Sequence, residues 1–427
     1  MTHSPTRPTN VRWGVLGMLS TAAILAYVDR LVISNVVIEL QEELGLTPNQ
    51  AGWILASFLI GYGTMQVPMG RLGDLRLTRW VLPVIVIAWS VMTGLTAVAS
   101  TFAGLCLVRC GLGMAQSGVF PLTLPALQRW FPVGSRATAQ GIVISCMQIG
   151  ALLSGLLATA IALYGWHRVF VICGLAGVAW SVFFAWWFRD RPEDHRGAND
   201  AEVRLIGDTT VTVAQVAPLP WRRLVSEPNV LGLCLGQIFV GMGTYLYYTW
   251  FPTLLRERYG FELAGAGLLT MVPYLGGWLG AVLGGRIVDL VFASTGSLGW
   301  SRRGVWFTGV SLAAMLYWVA AWLENPFVVV GVIGVAATCA SAGLPALWAA
   351  IGDIGGEHAG VLFAVQNAVG CVGAGICPLL VPQVVERWGW STVLPVFGGI
   401  FMIGAVSWVL VNPARPLTPP PRPFPIV

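Results

Sequence analysis

Two short stretches decide how this chain is built, Gly70-Arg71-Leu72-Gly73-Asp74 and Gly285-Arg286-Ile287-Val288-Asp289. They share the pattern Gly-Arg-x-x-Asp, stand 215 residues apart in a chain of 427, and each closes a long apolar run. Each is followed by further arginines, Arg76 and Arg79 in the first copy and Arg302 and Arg303 in the second. The bias that keeps basic loops on the cytoplasmic side of a membrane accounts for the arginines, but not for a matching glycine and aspartate at half-chain spacing. The chain therefore reads as two repeats of one unit.

Composition says what kind of unit. Hydrophobic residues make up 56% and charged residues 10%, against about 25% charged in a soluble domain. That apolar content suffices for about twelve membrane spans of roughly 20 residues each, and it excludes a soluble enzyme, a nucleic-acid binder and a disordered scaffold. Spans are expected at 12–38, 49–71, 79–99, 101–128, 137–163, 167–188, 229–255, 263–292, 304–323, 326–351, 359–385 and 390–411. The expected organisation is a six-helix bundle over 1–188, a polar central segment over 189–228, a second six-helix bundle over 229–411, and a Pro-rich tail over 412–427.

All 24 basic residues are arginine. Eighteen fall on the side of the N-terminus, and four (Arg168, Arg256, Arg258, Arg387) fall on the other. Both termini and the central segment are thus expected in the cytoplasm. Because the basic residues sit in short inter-span loops, the net charge of +5 points to no nucleic-acid partner. The eight cysteines lie inside apolar runs with no Cys-x-x-Cys pair and no histidine at ligand spacing, so no metal or cofactor is expected. No phosphate loop or Ser/His/Asp set is visible, which argues against an enzyme. Residues 1–12 lead into an apolar stretch too long for a signal-peptide core, so no cleavage is expected.

Three charges stand out because they lie deep in spans: Asp29 and Arg30 in the first, Arg109 in the fourth. A central Asp or Arg costs about 2.5–3.5 kcal/mol on insertion scales, so each needs a partner or an aqueous cavity. From the helical rise of 1.5 Å per residue, the two arginines lie at similar depth, ~10–12 Å from the outer ends of their spans. An organic anion held by both guanidiniums would relieve their repulsion, since Arg binds carboxylate as a bidentate fork. The structural alternative is that Asp29 neutralises one arginine and helix C-terminal carbonyls engage the other. Asp29 and Arg30 point about 100° apart on a helix. Asp29 therefore faces another wall, where a carboxyl in a low-dielectric setting can exchange a proton near neutral pH.

Gln116, two turns beyond Arg109, shares its face. Tyr62, Gln148, Gln366 and Asn367 are further polar groups in apolar spans, able either to hydrogen-bond a polyhydroxylated substrate or to tie helices together. Tyr245, Tyr247 and Tyr248 read as an interfacial aromatic belt, with substrate contact as the alternative. Gly276, Gly280 and Gly284 recur every four residues, a spacing that lets helix backbones approach.

Taken in order, the motifs resemble the anion:cation symporter branch of the major facilitator superfamily, which includes bacterial galactonate and hexuronate transporters, vesicular glutamate transporters and sialin. The matching stretches are Tyr27-Val28-Asp29-Arg30, Arg109 with Leu112-Gly113 and Phe120-Pro121, Arg129-Trp130-Phe131-Pro132 with Arg136, and Gly165-Trp166-His167-Arg168-Val169-Phe170. Arg189-Asp190-Arg191-Pro192-Glu193-Asp194-His195 follows, and in the second half Thr249-Trp250-Phe251-Pro252, Trp348 with Asp353, Gly360, Asn367, Gly370 and Pro378.

The resemblance implies an all-α integral membrane protein of twelve transmembrane helices, six plus six, with pseudo-two-fold related halves that rock about a site near the midplane. It implies proton-linked import of a carboxylate or sugar acid by a monomer in a bacterial inner membrane. Arg30 and Arg109 would hold the carboxylate. Tyr62, Gln148, Asn367, Gln116 and Trp348 would complete the substrate site, and Asp29 would carry the proton. The loops with Gly70, Arg71 and Asp74 and with Gly285, Arg286 and Asp289 would gate the cytoplasmic side. One departure matters: many relatives have a glutamate where this chain has Gln116. An amide cannot titrate, so coupling to at most one proton is expected, with an uncoupled uniporter or an anion exchanger of the same fold as the alternative.

Overall fold

A backbone crossing hydrocarbon must satisfy its own N–H and C=O groups, which leaves helices as the open choice for runs like these. The computed structural model describes residues 7–74, 78–132, 135–206, 226–355, 359–415 and 417, and no strand occurs among them. The chain divides into two units, Met1–Val213 with Phe261–Met271, and Ala214–Gly260 with Val272–Val427.

In unit 1, α1 (Val11–Leu31) runs on into a 3-10 turn (Val32–Asn35) and a short α2 (Val37–Leu44). Next come α3 (Pro48–Asp74), α4 (Thr78–Thr96), α5 (Phe102–Gln116) and α6 (Val119–Trp130). The unit closes with α7 (Arg136–Tyr164), α8 (Trp166–Trp187) and α9 (Asp200–Ile206). Unit 2 holds α10 (Pro228–Thr249), α11 (Phe251–Tyr259) and α12 (Leu263–Thr295), whose first turns fall in unit 1. It continues with α13 (Val305–Ala321), α14 (Pro326–Ala342), α15 (Leu344–Gly355), α16 (Ala359–Trp388) and α17 (Val393–Val406).

Eleven stretches among the described residues are long and apolar enough to cross a membrane. The helix at the second predicted span, α3, is not one of them, because Asn49, Gln50, Tyr62, Thr64 and Gln66 dilute its apolar character. Four predicted spans are interrupted where one helix was expected: the first gives way to a 3-10 turn after Leu31, and the seventh breaks at Trp250. The fourth breaks at Ser117-Gly118 and the tenth at Gly343, each with a proline (Pro121, Pro345) in the first turn of the next helix. A proline there has no N–H to continue the preceding ladder and is well tolerated as a helix start.

Small residues set the packing that positions the site. A Cβ on Gly61 of α3 would meet the Cys110 carbonyl of α5 at 2.0 Å, and one on Gly113 would meet the Phe58 carbonyl at 2.0 Å. The two helices therefore touch backbone to backbone, presenting Phe58 and Tyr62 to the Arg109 turn. In unit 2 the glycine row does the same: Gly276, Gly280 and Gly284 face the carbonyls of Gly334, Thr338 and Ala342 of α14.

The described part of the central segment is bound to unit 1 at two places. Asp190 accepts from Arg129 at 3.1 Å and from the Arg79 amide at 3.3 Å. The fully buried Glu202 accepts from the Val11 and Arg12 amides at 3.3 and 3.1 Å, capping the N-terminus of α1, and pairs with the Arg12 guanidinium at 3.0 Å. In the tail, Asn229 holds Asn412 and Arg415 by backbone contacts, and Leu417 donates to Ile354. Residue 416 and residues 418–427 lie outside the described residues.

Candidate functional site

The deep charges of the first and fourth spans come together on three helices of unit 1. Because α1 ends at Leu31, the carbonyls of Asp29 and Arg30 are among its last four and open to an outside donor. Arg109, 2% exposed, donates to both, at 3.4 Å to Asp29 and 3.0 Å to Arg30. Two turns further along α5, Gln116 donates to the Ala26 carbonyl at 3.0 Å. Helix α5 is thus stitched to α1 at two levels, and both stitches use backbone acceptors. Hydrogen bonds from a charged donor contribute about 1.5–3 kcal/mol each, so Arg109 fixes the end of α1 as well as placing a positive charge there.

Arg30 sits differently. Its half-buried guanidinium lies over three rings, Phe58 at 4.6 Å, Tyr27 at 4.7 Å and Tyr62 at 4.8 Å from the centroids. Phe58 and Tyr62 stack with centroids 5.8 Å apart, and Phe58 also lies 5.2 Å from the Arg109 guanidinium carbon. Each ring face attracts the cation, and a guanidinium is the side chain whose fork matches a planar anion. Tyr27 and Phe58 were not singled out as site residues from sequence. The signal was present in spacing: Tyr27 is three residues before Arg30, and Phe58 is four before Tyr62.

Asp29 points elsewhere. Its carboxyl is buried beside Thr93 and Trp89 of α4 and Cys173 of α8, with the Arg109 charge in reach. Neither carboxyl oxygen, and not the Trp89 indole nitrogen either, closes to hydrogen-bonding geometry among the described residues. The carboxyl and the guanidinium of Arg30 therefore occupy separate walls.

Of the remaining expected residues, Gln148 is half-buried on α7, two residues from Gly150, whose backbone packs against Tyr27. Asn367, half-buried on α16, and Trp348, exposed on α15, belong to unit 2. Gly285, Arg286 and Asp289 lie on α12 with both charged side chains exposed. Gly70, Arg71 and Asp74 end α3, and their side chains are outside the described residues. Tyr247 does not join an interfacial belt: it is buried and clusters with Tyr248 and Tyr274, the latter two stacked at 5.3 Å. Among the described residues no group of three or more His, Cys, Asp or Glu is placed to hold a metal.

These features define a polytopic membrane protein of two helical units, the first of which gathers Arg30 and Arg109 around the Phe58 ring. The chain belongs to the Major Facilitator Superfamily, whose family model matches residues 19–323 and 233–426. It is 31% identical over 406 residues to the probable sulfoacetate transporter SauU of Cupriavidus necator, covering 93% of each chain. It is 27% identical over 419 residues to the D-galactonate transporter of Escherichia coli O6:H1, covering 95% of this chain and 96% of that one. The fold matches the inward-open xylose transporter XylE from E. coli with a TM-score of 0.74 at 14% identity, covering 94% and 96% of the two chains.

Proposed function

We propose that this chain imports a small organic anion, a carboxylate or sugar acid, across a bacterial inner membrane by alternating access, together with a proton, as a monomer with both termini in the cytoplasm. The observation that carries the reading is the Arg30 guanidinium under its three aromatic rings, beside an Arg109 that holds the end of α1 in place. Arg30 takes the anionic group along its N–H edge, and Arg109 adds field and fixes the backbone. Tyr62, Gln148, Asn367, Gln116 and Trp348 meet the remainder of the substrate. The relatives named for sulfoacetate and D-galactonate support an anionic cargo and leave its head group open between sulfonate and carboxylate. Asp29 carries the proton, since an acid buried within a span marks a proton pathway. The helical segments that carry Gly70, Arg71, Asp74 and Gly285, Arg286, Asp289 stabilise one of the two states of the carrier. None of this needs a nucleophile, a metal or a cofactor.

A second reading rests on Gln116. Its Nε2–H donation to Ala26 is the bond a protonated glutamate would make, and an amide makes it at every pH. A carrier locked in that arrangement would be a uniporter or an anion exchanger. Uptake into proteoliposomes of labelled galactonate, glucarate, sulfoacetate and simple carboxylates, with and without an imposed proton gradient, separates the two. Gradient-driven accumulation supports symport, and uptake that only equilibrates supports the second reading. Absence of uptake for every anion would overturn the substrate class.

A further inference from the structure

Three arginines that the transport reading leaves unused gather at the last turn of α8, the end of unit 1 that carries the N-terminus. Arg79 donates through Nε to the Ala185 carbonyl at 3.4 Å. Arg189 donates to the Trp186 and Phe188 carbonyls at 2.8 and 2.7 Å. Two guanidiniums thus converge on four residues at a helix C-terminus, whose dipole offsets about half a charge. Arg196 is within electrostatic reach of Arg189. Burial, then the charges of Arg79 and Arg196, hold Arg189 below its ordinary proton affinity, as expected of crowded cations. Two carboxylates are near. Asp190 is engaged by Arg129 and by the Arg79 amide, leaving Asp194 as the acid facing Arg189. The cluster keeps an excess of positive charge.

Beside it lies open aromatic surface. Trp80, 58% exposed, carries the Arg79 cation 4.7 Å from its ring, and Trp186, 69% exposed, packs at 5.9 Å against the exposed Phe183. Exposed indoles belong at the headgroup level of a bilayer, and arginine forks match phosphate oxygens. A soluble anion would use the arginines alone. A ligand with a phosphodiester head and acyl chains would use both surfaces.

We propose that Arg79, Arg189 and Arg196, with Trp80 and Trp186, form a binding site for an anionic phospholipid headgroup on the surface of α4 and α8. The site is independent of the substrate reading, since none of its residues belongs to the transport machinery.

Native mass spectrometry of the full chain in detergent tests it, with cardiolipin, phosphatidylglycerol, phosphatidylethanolamine and inorganic phosphate as probes. The two anionic lipids are expected to survive collisional activation as adducts while phosphatidylethanolamine is lost. Each arginine removed in Arg79→Gln and Arg189→Gln should weaken anionic-lipid binding by about fivefold, the usual worth of one basic residue at an anionic surface. Arg387→Gln, outside the cluster, should leave it unchanged. Equal retention of phosphatidylethanolamine, or undiminished adducts in a double variant that elutes as a folded monodisperse peak, would overturn the site. Displacement of lipid by inorganic phosphate at matching concentration would overturn the lipid assignment in favour of a soluble anion. If the double variant does not elute as folded, the wild-type competition among the four probes decides by itself.

Discussion

Each half of the molecule places a glycine of positive φ before its sixth spanning helix, Gly165 at 80° and Gly389 at 76°, and follows it with a tryptophan that donates to a glutamate. Trp166 reaches Glu43 on α2 at 3.0 Å, and Trp390 reaches Glu257 on α11 at 2.7 Å. The helices bearing those glutamates end on left-handed glycines, Gly45 and Gly260, that stand 215 residues apart like the two Gly-Arg-x-x-Asp motifs. The scaffold is therefore repeated down to its caps. What the halves bury is not. Among the described residues, the buried charged side chains Asp29, Arg109, Arg129 and Glu202 all lie in unit 1, whereas unit 2 buries Tyr247, Tyr274, Tyr317 and the amide of Gln366. One frame has been given ionic chemistry in its first copy and neutral chemistry in its second. The anion recognition proposed above rests on the arginines of unit 1, and the contrast can be broken by substitution.

The largest difference should come from the arginine edge. Arg30→Ala is expected to cut anion uptake by about 100-fold, the loss of charge-assisted contacts worth ~3 kcal/mol, while Asn367→Ala in unit 2 should lose less than about tenfold, the worth of one neutral hydrogen bond. Arg30→Lys should recover little, because an ammonium cannot form the fork or lie flat among Tyr27, Phe58 and Tyr62. Uptake retained in Arg30→Ala would remove unit 1 from anion recognition.

Next is the pH response. Gln116→Glu adds a second acid to a half that has Asp29. Only the protonated glutamate can donate to Ala26 as Gln116 does, so uptake by the variant should rise toward acid more steeply than wild type. An unchanged pH profile would mean that the amide is not what limits coupling.

The ion pairs offer a comparison of stability. Arg129 binds the Asp190 carboxylate, the Asp190 carbonyl and the Thr78 hydroxyl, whereas Arg302 in unit 2 binds Asp353 at 2.9 Å and its own neighbour Ser301. Burial pushes the Asp190 carboxyl up and Arg129 pulls it back, so removing the arginine strands a desolvated acid. Arg129→Ala should destabilise by about 2 kcal/mol, below the roughly 3–5 kcal/mol of a fully buried pair because both side chains keep some exposure, and Arg302→Ala by about 1 kcal/mol. Thermal unfolding in detergent reads both. His195, in the same cluster, rests against Trp130 and Trp187 and accepts the Gly197 amide through Nδ1 at 3.1 Å. Burial, then the Arg189 charge, holds its pKa below 6.5. The unfolded chain therefore takes up the proton first, so this contribution to stability is present above pH 6.5 and is lost as the pH falls below it. His195→Gln should flatten the acid limb of a stability profile, and an unchanged limb would place the titration elsewhere.

The repeat, the spans and the three deep charges were legible in sequence because apolar length and isolated charge leave marks in composition. The partners of Arg109 were not: it binds two backbone carbonyls, and a carbonyl carries no residue identity. The Arg129–Asp190 pair was hidden by a different cause, since 61 residues separate two motifs that were each visible alone. The breaks at Ser117-Gly118 and Gly343 were missed because an apolar run continues through both, and only Pro121 and Pro345 mark the new helix starts. Tyr247 was read toward the bilayer surface by its position near a span end. Packing against Tyr248 and Tyr274, which sequence order does not bring together, decided otherwise.

The smallest effect tests the repeat itself. Trp166→Phe and Trp390→Phe each delete one indole hydrogen bond and should lower stability by about 1 kcal/mol or less, and by the same amount in both halves if the clasps are equivalent. The glutamates should differ. Glu43 accepts from Trp166 and also faces His167 at 3.3 Å, whereas Glu257 meets Trp390 with Ser391 in the place of the histidine. With Glu43 and His167 both about half exposed, the extra pair contributes between zero and about 1 kcal/mol. Glu43→Ala is therefore expected to lower the unfolding temperature slightly more than Glu257→Ala, and the excess should vanish when His167→Ser is already present. A persistent excess in that background would mean that the halves differ in how α2 and α11 are held, and that the repeat ends short of its outer caps.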